Sequence, residues 1–214
     1  MTHTTTDTLA AALARSAIEL PPDQVEQLDR YCRRLWEWNS RLNLTRHTTY
    51  DKFVVRDVVD SLAFEPFLEP GTRVLDVGTG GGVPGVVLAI VRPDLELTLC
   101  ESVAKKAKAV GAIVAESGLS IPVVHARAEE LLQKQSFDTL VVRAVAPLPK
   151  LLRWFAPHWN AIGQLLILKG PKWAEERADA RHGGLLQGLE LRKLSTYQIP
   201  GTDSQSVLLR VQPH

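Results

Sequence analysis

Apolar positions change period near Arg73. Before it they recur every three or four residues. Val25, Leu28, Tyr31 or Cys32, Leu35, Trp38 and Leu42 fall on one stripe of DQVEQLDRYCRRLWEWNSRLNL, which starts at Asp23. That is the spacing of an amphipathic helix. A shorter helix pattern, TLAAALARSAIEL, precedes it and stops at Pro21-Pro22, after a Thr-rich start read as frayed. A further helix pattern, DKFVVRDVVDSLAFEPFL, ends at Pro66 and then Pro70-Gly71, residues that break helices.

After Arg73, short strands alternate with helices. RVLDVG, LELTLCE, PVVHAR, FDTLVVRAV and GQLLILKG read as strands, separated by the helix patterns PGVVLAIVR, SVAKKAKAVGAIVAES, AEELLQ and LPKLLRWFAPHW. In the tail, LELRKLSTYQIP and SVLLRVQ read as neighbouring antiparallel strands, after a charged, partly helical PKWAEERADARHGGLLQ. This predicts an α/β fold: a Rossmann-like, mainly parallel seven-stranded sheet with helices on both faces. Residues 1–70 form a helical extension and 71–214 a compact core. Ligands of such sheets sit at the carboxyl ends of the strands, near the switch in strand order.

Composition narrows the function classes. The chain has 214 residues, 45% hydrophobic and 23% charged, with a net charge of +1. It lacks an apolar run of the roughly 18 residues needed to span a bilayer, and its start lacks a secretory signal pattern. A cytoplasmic protein with no membrane contact is expected. Two cysteines and six scattered histidines suggest neither a disulfide framework nor a metal site. With a near-neutral total, any nucleic-acid surface must be local.

The segment VLDVGTGGGVPGVVLAI contains G-x-G-x-x-G at Gly80, Gly82 and Gly85. That pattern alone chooses poorly between a dinucleotide and another adenosine cofactor. Asp76 ends the strand just before it. A carboxylate in that turn opposes a pyrophosphate at the helix N-terminus, but it suits the sulfonium and ammonium of S-adenosylmethionine, directly or through water and backbone groups. Gly78, Gly80 and Gly82 then form the cofactor turn. Glu101, ending the second strand, is placed for the ribose hydroxyls, and Glu129, after the third, for the adenine. The fourth strand ends at Arg143 in VVRAVAPLPK, without the N/D-P-P-aromatic motif of exocyclic-amine methylation. Cys32 and Cys100 are poorly placed as nucleophiles. An acceptor with an exposed lone pair, such as a purine N7, needs in-line positioning and no acid-base dyad.

In their order along the chain these segments resemble the bacterial RsmG family, also called glucose-inhibited division protein B. WEWNSRLNLT is similar to the family's W-N-x-x-x-N-L-T, VVRDVVDSL to V-R-H-x-x-D-S, and DVGTGGGVPG to D-V-G-[ST]-G-x-G-x-P-G; ARAEE, VVRAVAPL and LKG follow in place. The resemblance implies methylation of N7 of one guanine in small-subunit ribosomal RNA with S-adenosylmethionine. It also implies donor contacts at Gly78, Val83, Ala128, Glu129 and Arg143. Arg143 is suited to the donor carboxylate or a substrate phosphate.

The chain departs from the family at Asp57, where the pattern has histidine. There a carboxylate either opposes RNA phosphate, steadies the cation formed on N7-methylguanine, or packs on neighbouring helices. Arg56 and Asp60 have the spacing of a surface ion pair. RNA-facing candidates are Arg41, Arg46, Lys52, Lys169, Lys172, Arg177 and Arg181, with Trp173 for base stacking. Lys105, Lys106 and Lys108 read as a solvated helix side. The expected partner is small-subunit rRNA within a ribosomal subunit or assembly intermediate, and the expected state is monomeric. A methyltransferase for another RNA or a small molecule is the second reading, and a nicotinamide oxidoreductase a weaker third. A protein that binds the donor without turnover remains as a further reading.

Overall fold

The computed structural model describes residues 7–200 and 202–214; most of the Thr-rich start lies outside them. The helical segment comes first, with α1 (Leu9–Arg15) and α2 (Pro22–Asn39). The Thr8 hydroxyl caps α1 by accepting from the Ala11 N–H. Helix α1 is shorter than its pattern, ending two residues before Ala17, whose φ is 53°.

The third helix pattern is not one helix. It divides into α3 (Tyr50–Phe53), a π-helical turn (Val54–Val58), α4 (Val59–Leu62) and a 3₁₀ turn (Glu65–Phe67). The wider π turn shifts the register, so that Asp57, Asp60 and Ser61 are all buried. The Ser61 hydroxyl donates to the Asp57 carbonyl at 2.7 Å. Such single π turns recur at functional sites.

Strands and helices then alternate: β1 (Arg73–Val77), α5 (Gly85–Val91), β2 (Glu96–Glu101), α6 (Ala104–Glu116), β3 (Val123–His125), α7 (Ala128–Leu132), β4 (Phe137–Arg143), α8 (Leu148–Phe155) and β5 (Ile162–Lys169). The chain closes with α9 (Trp173–His182), β6 (Leu189–Gln198) and β7 (Gln205–Pro213). The seven strands lie in the order β3-β2-β1-β4-β5-β7-β6. β1 to β5 are parallel, and β7 pairs antiparallel with both β5 and β6. Strand order reverses between β1 and β4, so a crevice opens at their carboxyl ends.

Side-chain alternation sends Val74 and Asp76 to one face of the sheet and Leu75 and Val77 to the other. On the Leu75 face, α7, α8 and α9 cover a core that includes Leu131, Leu151 and Phe155. On the opposite face, Leu28, Tyr31 and Leu35 of α2 join Val86, Val87, Leu99 and Ile113 in one cluster. The helical segment is thus part of a wall of the sheet's own core. No helix among the described residues is long and apolar enough to cross a membrane.

Leu35 is fully buried, and its neighbours belong to both the helical segment and the sheet. Leu35→Ala is therefore expected to cost about 2–5 kcal/mol and to shift one urea transition as a whole. A separate early transition of residues 1–70 would show instead that they fold independently.

Candidate functional site

The site begins with Asp76. Its place on β1 turns the side chain into the interior, where it is 1% exposed. Oδ2 accepts from the Thr79 hydroxyl at 2.6 Å and from the Gly85 N–H at 2.9 Å. Oδ1 is buried without a partner among the described residues. Burial raises the carboxyl pKa to about 6, against the opposing pull of those two hydrogen bonds. A side chain at Gly85 has no room: its Cβ would lie 2.3 Å from Leu99 Cδ2 and 2.7 Å from Asp76 Oδ2. Asp76 therefore braces the loop from behind, and any effect on a ligand passes through the backbone.

The rest of the loop is held by backbone donors and by α2. Gly78 and Thr79 N–H groups donate to the Cys100 carbonyl, and Gly80 N–H donates to Glu101 Oε2 at 3.1 Å. The other Glu101 oxygen accepts from Val103 N–H at 2.8 Å. Tyr31, completely buried, donates its hydroxyl to the Gly81 carbonyl at 2.9 Å. Gly82 has φ +108°, and a Cβ there would meet the Tyr31 hydroxyl at 2.9 Å.

Two cavities meet at the end of β4. One, of about 200 Å³, is bounded by Gly78 to Gly81, Val83, Leu44, Thr45, Asp57, Lys106, Arg143 and Ala144. The other, of about 590 Å³, is bounded by His47, Arg56, Asp60, Arg143 to Pro147, Lys169 to Pro171 and Ser204 to Ser206, among others. Arg143 and Ala144 belong to both walls. Ala144 has φ 55°, a strained conformation for a residue with a Cβ.

Arg143 is anchored from the π turn. Nη2 donates to Asp57 Oδ1 at 2.6 Å and Nη1 to the Arg56 carbonyl at 2.9 Å, with Asp60 Oδ2 at 3.6 Å. Asp57 also faces His47 Nδ1 at 2.9 Å, and Asp60 accepts from the Tyr197 hydroxyl at 2.6 Å. Burial raises the Asp60 pKa, against the pull of Arg143 and Tyr197. Asp57 packs inward, so a direct clash with RNA phosphate does not arise. Asp60 is 2% exposed, and a surface pair with Arg56 is replaced by the buried pairing with Arg143.

The other expected residues divide. Gly78, Gly80, Val83 and Arg143 line the smaller cavity, and Glu101 reaches its edge through Gly80. Ala128 and Glu129 start α7 beside β3, outside the walls of both cavities, with Ala128 packed in the core. Lys169 does not reach outward: its Nζ donates to the Ala146 carbonyl at 2.6 Å and pairs with Glu176 at 2.7 Å. Trp173 is no open stacking platform, because it packs on the core and carries Arg177 and Lys193 over its ring at 5.0 and 5.7 Å. Arg41, Arg46, Lys52, Lys172 and Arg181 are exposed. Lys106 departs from its two neighbours by facing the smaller cavity. Sequence reasoning missed His47, Tyr197 and the inward turn of Lys106. Only Lys106, one helical step from a cofactor strand, carried a signal.

The family model described as rRNA small subunit methyltransferase G (GidB) matches residues 24–203. The chain belongs to this family. A ribosomal RNA small subunit methyltransferase G of Rhodopirellula baltica is 48% identical over 188 residues, covering 88% of this chain and 81% of the relative. One from Chromobacterium violaceum is 37% identical and covers 95% of each. Among solved structures, an O-methyltransferase from Bacillus cereus in complex with S-adenosylhomocysteine superposes with TM-score 0.61 at 15% identity, over 97% of this chain and 98% of that one. TrmK of M. capricolum, also bound to S-adenosylhomocysteine, gives 0.57 at 13% identity over 72% of this chain and 67% of its own. These two share the fold, that of class I methyltransferases. The nicotinamide reading falls with this GidB membership. Its physical failing is visible too, since Asp76 already takes the Gly85 N–H that a pyrophosphate would need.

The raised pKa of Asp76 has a defined sign. Between about pH 4 and 6 the native state holds this proton more often than the unfolded chain. The stability it contributes is full below pH 4 and lost as pH rises through 6. Relative to Asp76→Asn, the wild type should lose up to about 3 kcal/mol over that window, measured by urea unfolding at several pH values. Parallel pH curves for the two proteins would return Asp76 to an ordinary carboxylate value.

Proposed function

We propose that this protein transfers a methyl group from S-adenosylmethionine to N7 of a guanine in small-subunit ribosomal RNA. The observation that carries the reading is the shared wall: Arg143 and Ala144 separate a glycine-lined cavity from a wider one, within a chain of the GidB family. The wider cavity, about 590 Å³, is in the range of small-ligand pockets, roughly 300–1,000 Å³.

The smaller cavity suits the donor on three counts. A Cβ at Gly80 would meet nothing nearer than the Gly78 carbonyl at 3.9 Å, so the glycine leaves room for a ligand. Asp57 Oδ2 is a buried acceptor without a partner among the described residues, on a side chain that lines the cavity. It suits an ammonium group. Lys106 and Arg143 supply positive charge for a carboxylate. Gly78, Gly80, Gly82 and Val83 shape the turn, with Asp76 and Glu101 holding it in place. Ala128 and Glu129 lie towards the adenine side, beyond β2.

When bound, the donor supplies a methyl group made electrophilic by its sulfonium. The acceptor N7 uses its own lone pair to bond that methyl, while the methyl–sulfur bond breaks and leaves its electron pair on sulfur. No general base is required, because N7 of guanine carries no proton to remove. Positive charge passes from the donor side to the purine. The charges of Arg143, Asp57 and Asp60 are already fixed by mutual pairing, so little reorganisation is needed as it moves. Arg46 and Lys172 are exposed near the mouth-forming segments and serve as phosphate contacts. The protein acts in the cytoplasm as a monomer, on a small subunit or an assembly intermediate.

The deciding experiment is transfer of labelled methyl from S-adenosylmethionine to small ribosomal subunits lacking the modification, followed by reduction and aniline cleavage of the RNA. A single new cleavage at a guanine is expected; labelled RNA without cleavage would move the acceptor atom away from N7. Arg143→Ala should abolish transfer. It should also cost about 3–5 kcal/mol, because two buried carboxylates lose their partner. Arg143→Lys keeps the charge and should recover most of the stability but not the activity. Normal turnover in Arg143→Lys would show that the fork geometry is dispensable.

A further inference from the structure

The wider cavity contains one ring that the methyl-transfer reading leaves without a role. His47 lines it with its side chain 22% exposed, and its Nδ1 lies 2.9 Å from Asp57 Oδ1. That oxygen also receives Arg143 Nη2 at 2.6 Å. A carboxylate is an acceptor, so the contact places a proton on Nδ1, and in the neutral ring Nε2 is then the acceptor.

The backbone of His47 is fixed on both sides. Trp36 Nε1 donates to the His47 carbonyl at 2.7 Å, and the His47 N–H donates to the Thr45 hydroxyl at 3.0 Å. Asn39 Oδ1 holds the same loop by accepting from the Leu44 and Thr45 N–H groups. The segment WEWNSRLNLT therefore aims one imidazole at the cavity. The carboxylates around that wall are already engaged: Asp60 by Tyr197 and Arg143, and Glu176 by Lys169 and the Leu148 N–H.

We propose that His47 reads the acceptor base, with Nε2 accepting a hydrogen bond from the N1–H of guanine. The inference rests on the guanine-N7 reading above and adds a residue that selects the base. Adenine presents a lone pair at N1, so two acceptors would face each other in a partly buried site. A site built to pair with a donor rejects an analogue that lacks it. The contact uses the Watson–Crick edge, so it requires a guanine unpaired in its RNA. It leaves N7 unblocked, because N7 lies on the adjoining Hoogsteen edge rather than on the edge that His47 contacts.

The test compares wild type, His47→Phe and His47→Gln on unmodified small subunits and on subunits carrying adenine at the target position. Binding of S-adenosylhomocysteine, measured by calorimetry, should stay within a few-fold of wild type in both variants, because His47 is absent from the walls of the smaller cavity and Asp57 keeps its pairing with Arg143. His47→Phe should lower kcat/KM on guanine by about 10- to 100-fold and weaken the preference for guanine over adenine. His47→Gln, whose amide oxygen can accept, should stay within a few-fold of wild type. Unchanged turnover and preference in His47→Phe would overturn the assignment, as would a His47→Gln that falls as far as His47→Phe while still binding S-adenosylhomocysteine. A wild type that methylates no guanine would instead overturn the reading on which the assignment rests.

Discussion

One guanidinium holds the site together. Arg143 ends β4 at the switch of strand order, and its charge offsets two carboxylates that the π turn has pulled out of water. Either carboxylate left alone in that interior would be costly, and so would the arginine. The pairing therefore fixes where the helical segment meets the sheet, since breaking it would strand a buried charge. Through Asp60 it extends to Tyr197 on β6, and through Asp57 to His47 on the loop after α2. Three distant parts of the chain thus converge on the wall between the two cavities.

The glycine loop obeys a second constraint, set by Asp76. A buried carboxylate that accepts from the first residue of α5 leaves the helix start with less to offer an anion. The same letters, G-x-G-x-x-G, therefore describe a loop with different electrostatics from a pyrophosphate cradle. The helical segment completes it from outside, with the Tyr31 hydroxyl on the Gly81 carbonyl and Leu35 and Leu44 packed beside it. What sequence patterning presents as an extension is, in space, one wall of the glycine-lined cavity and the carrier of His47.

Lys169 and Trp173 show how charge and aromaticity mislead when read singly. A lysine after a strand and a tryptophan at a helix start suggest contacts to RNA. Here the lysine fastens the loop after β4 to α9 through Ala146 and Glu176, and the tryptophan face is covered by two cations of its own fold. Lys106 errs in the other direction. It has the same side chain as Lys105 and Lys108, yet it alone turns towards the glycine loop.

The sequence by itself determined the alternation of strands and helices, the pairing of the last two strands, the glycine turn and the sign of the charge behind it. These are carried by residues close together in the chain: a period of two or of three to four, a glycine that needs a positive φ, a carboxylate beside a turn. The tertiary structure alone decided which charges face a cavity and which face each other. Asp57 meets Arg143 across 86 residues, and Asp60 meets Tyr197 across 137. No local period encodes such pairings. They follow from burial, which makes an unpaired charge too costly to keep and so selects its partner only once the sheet has brought the two together.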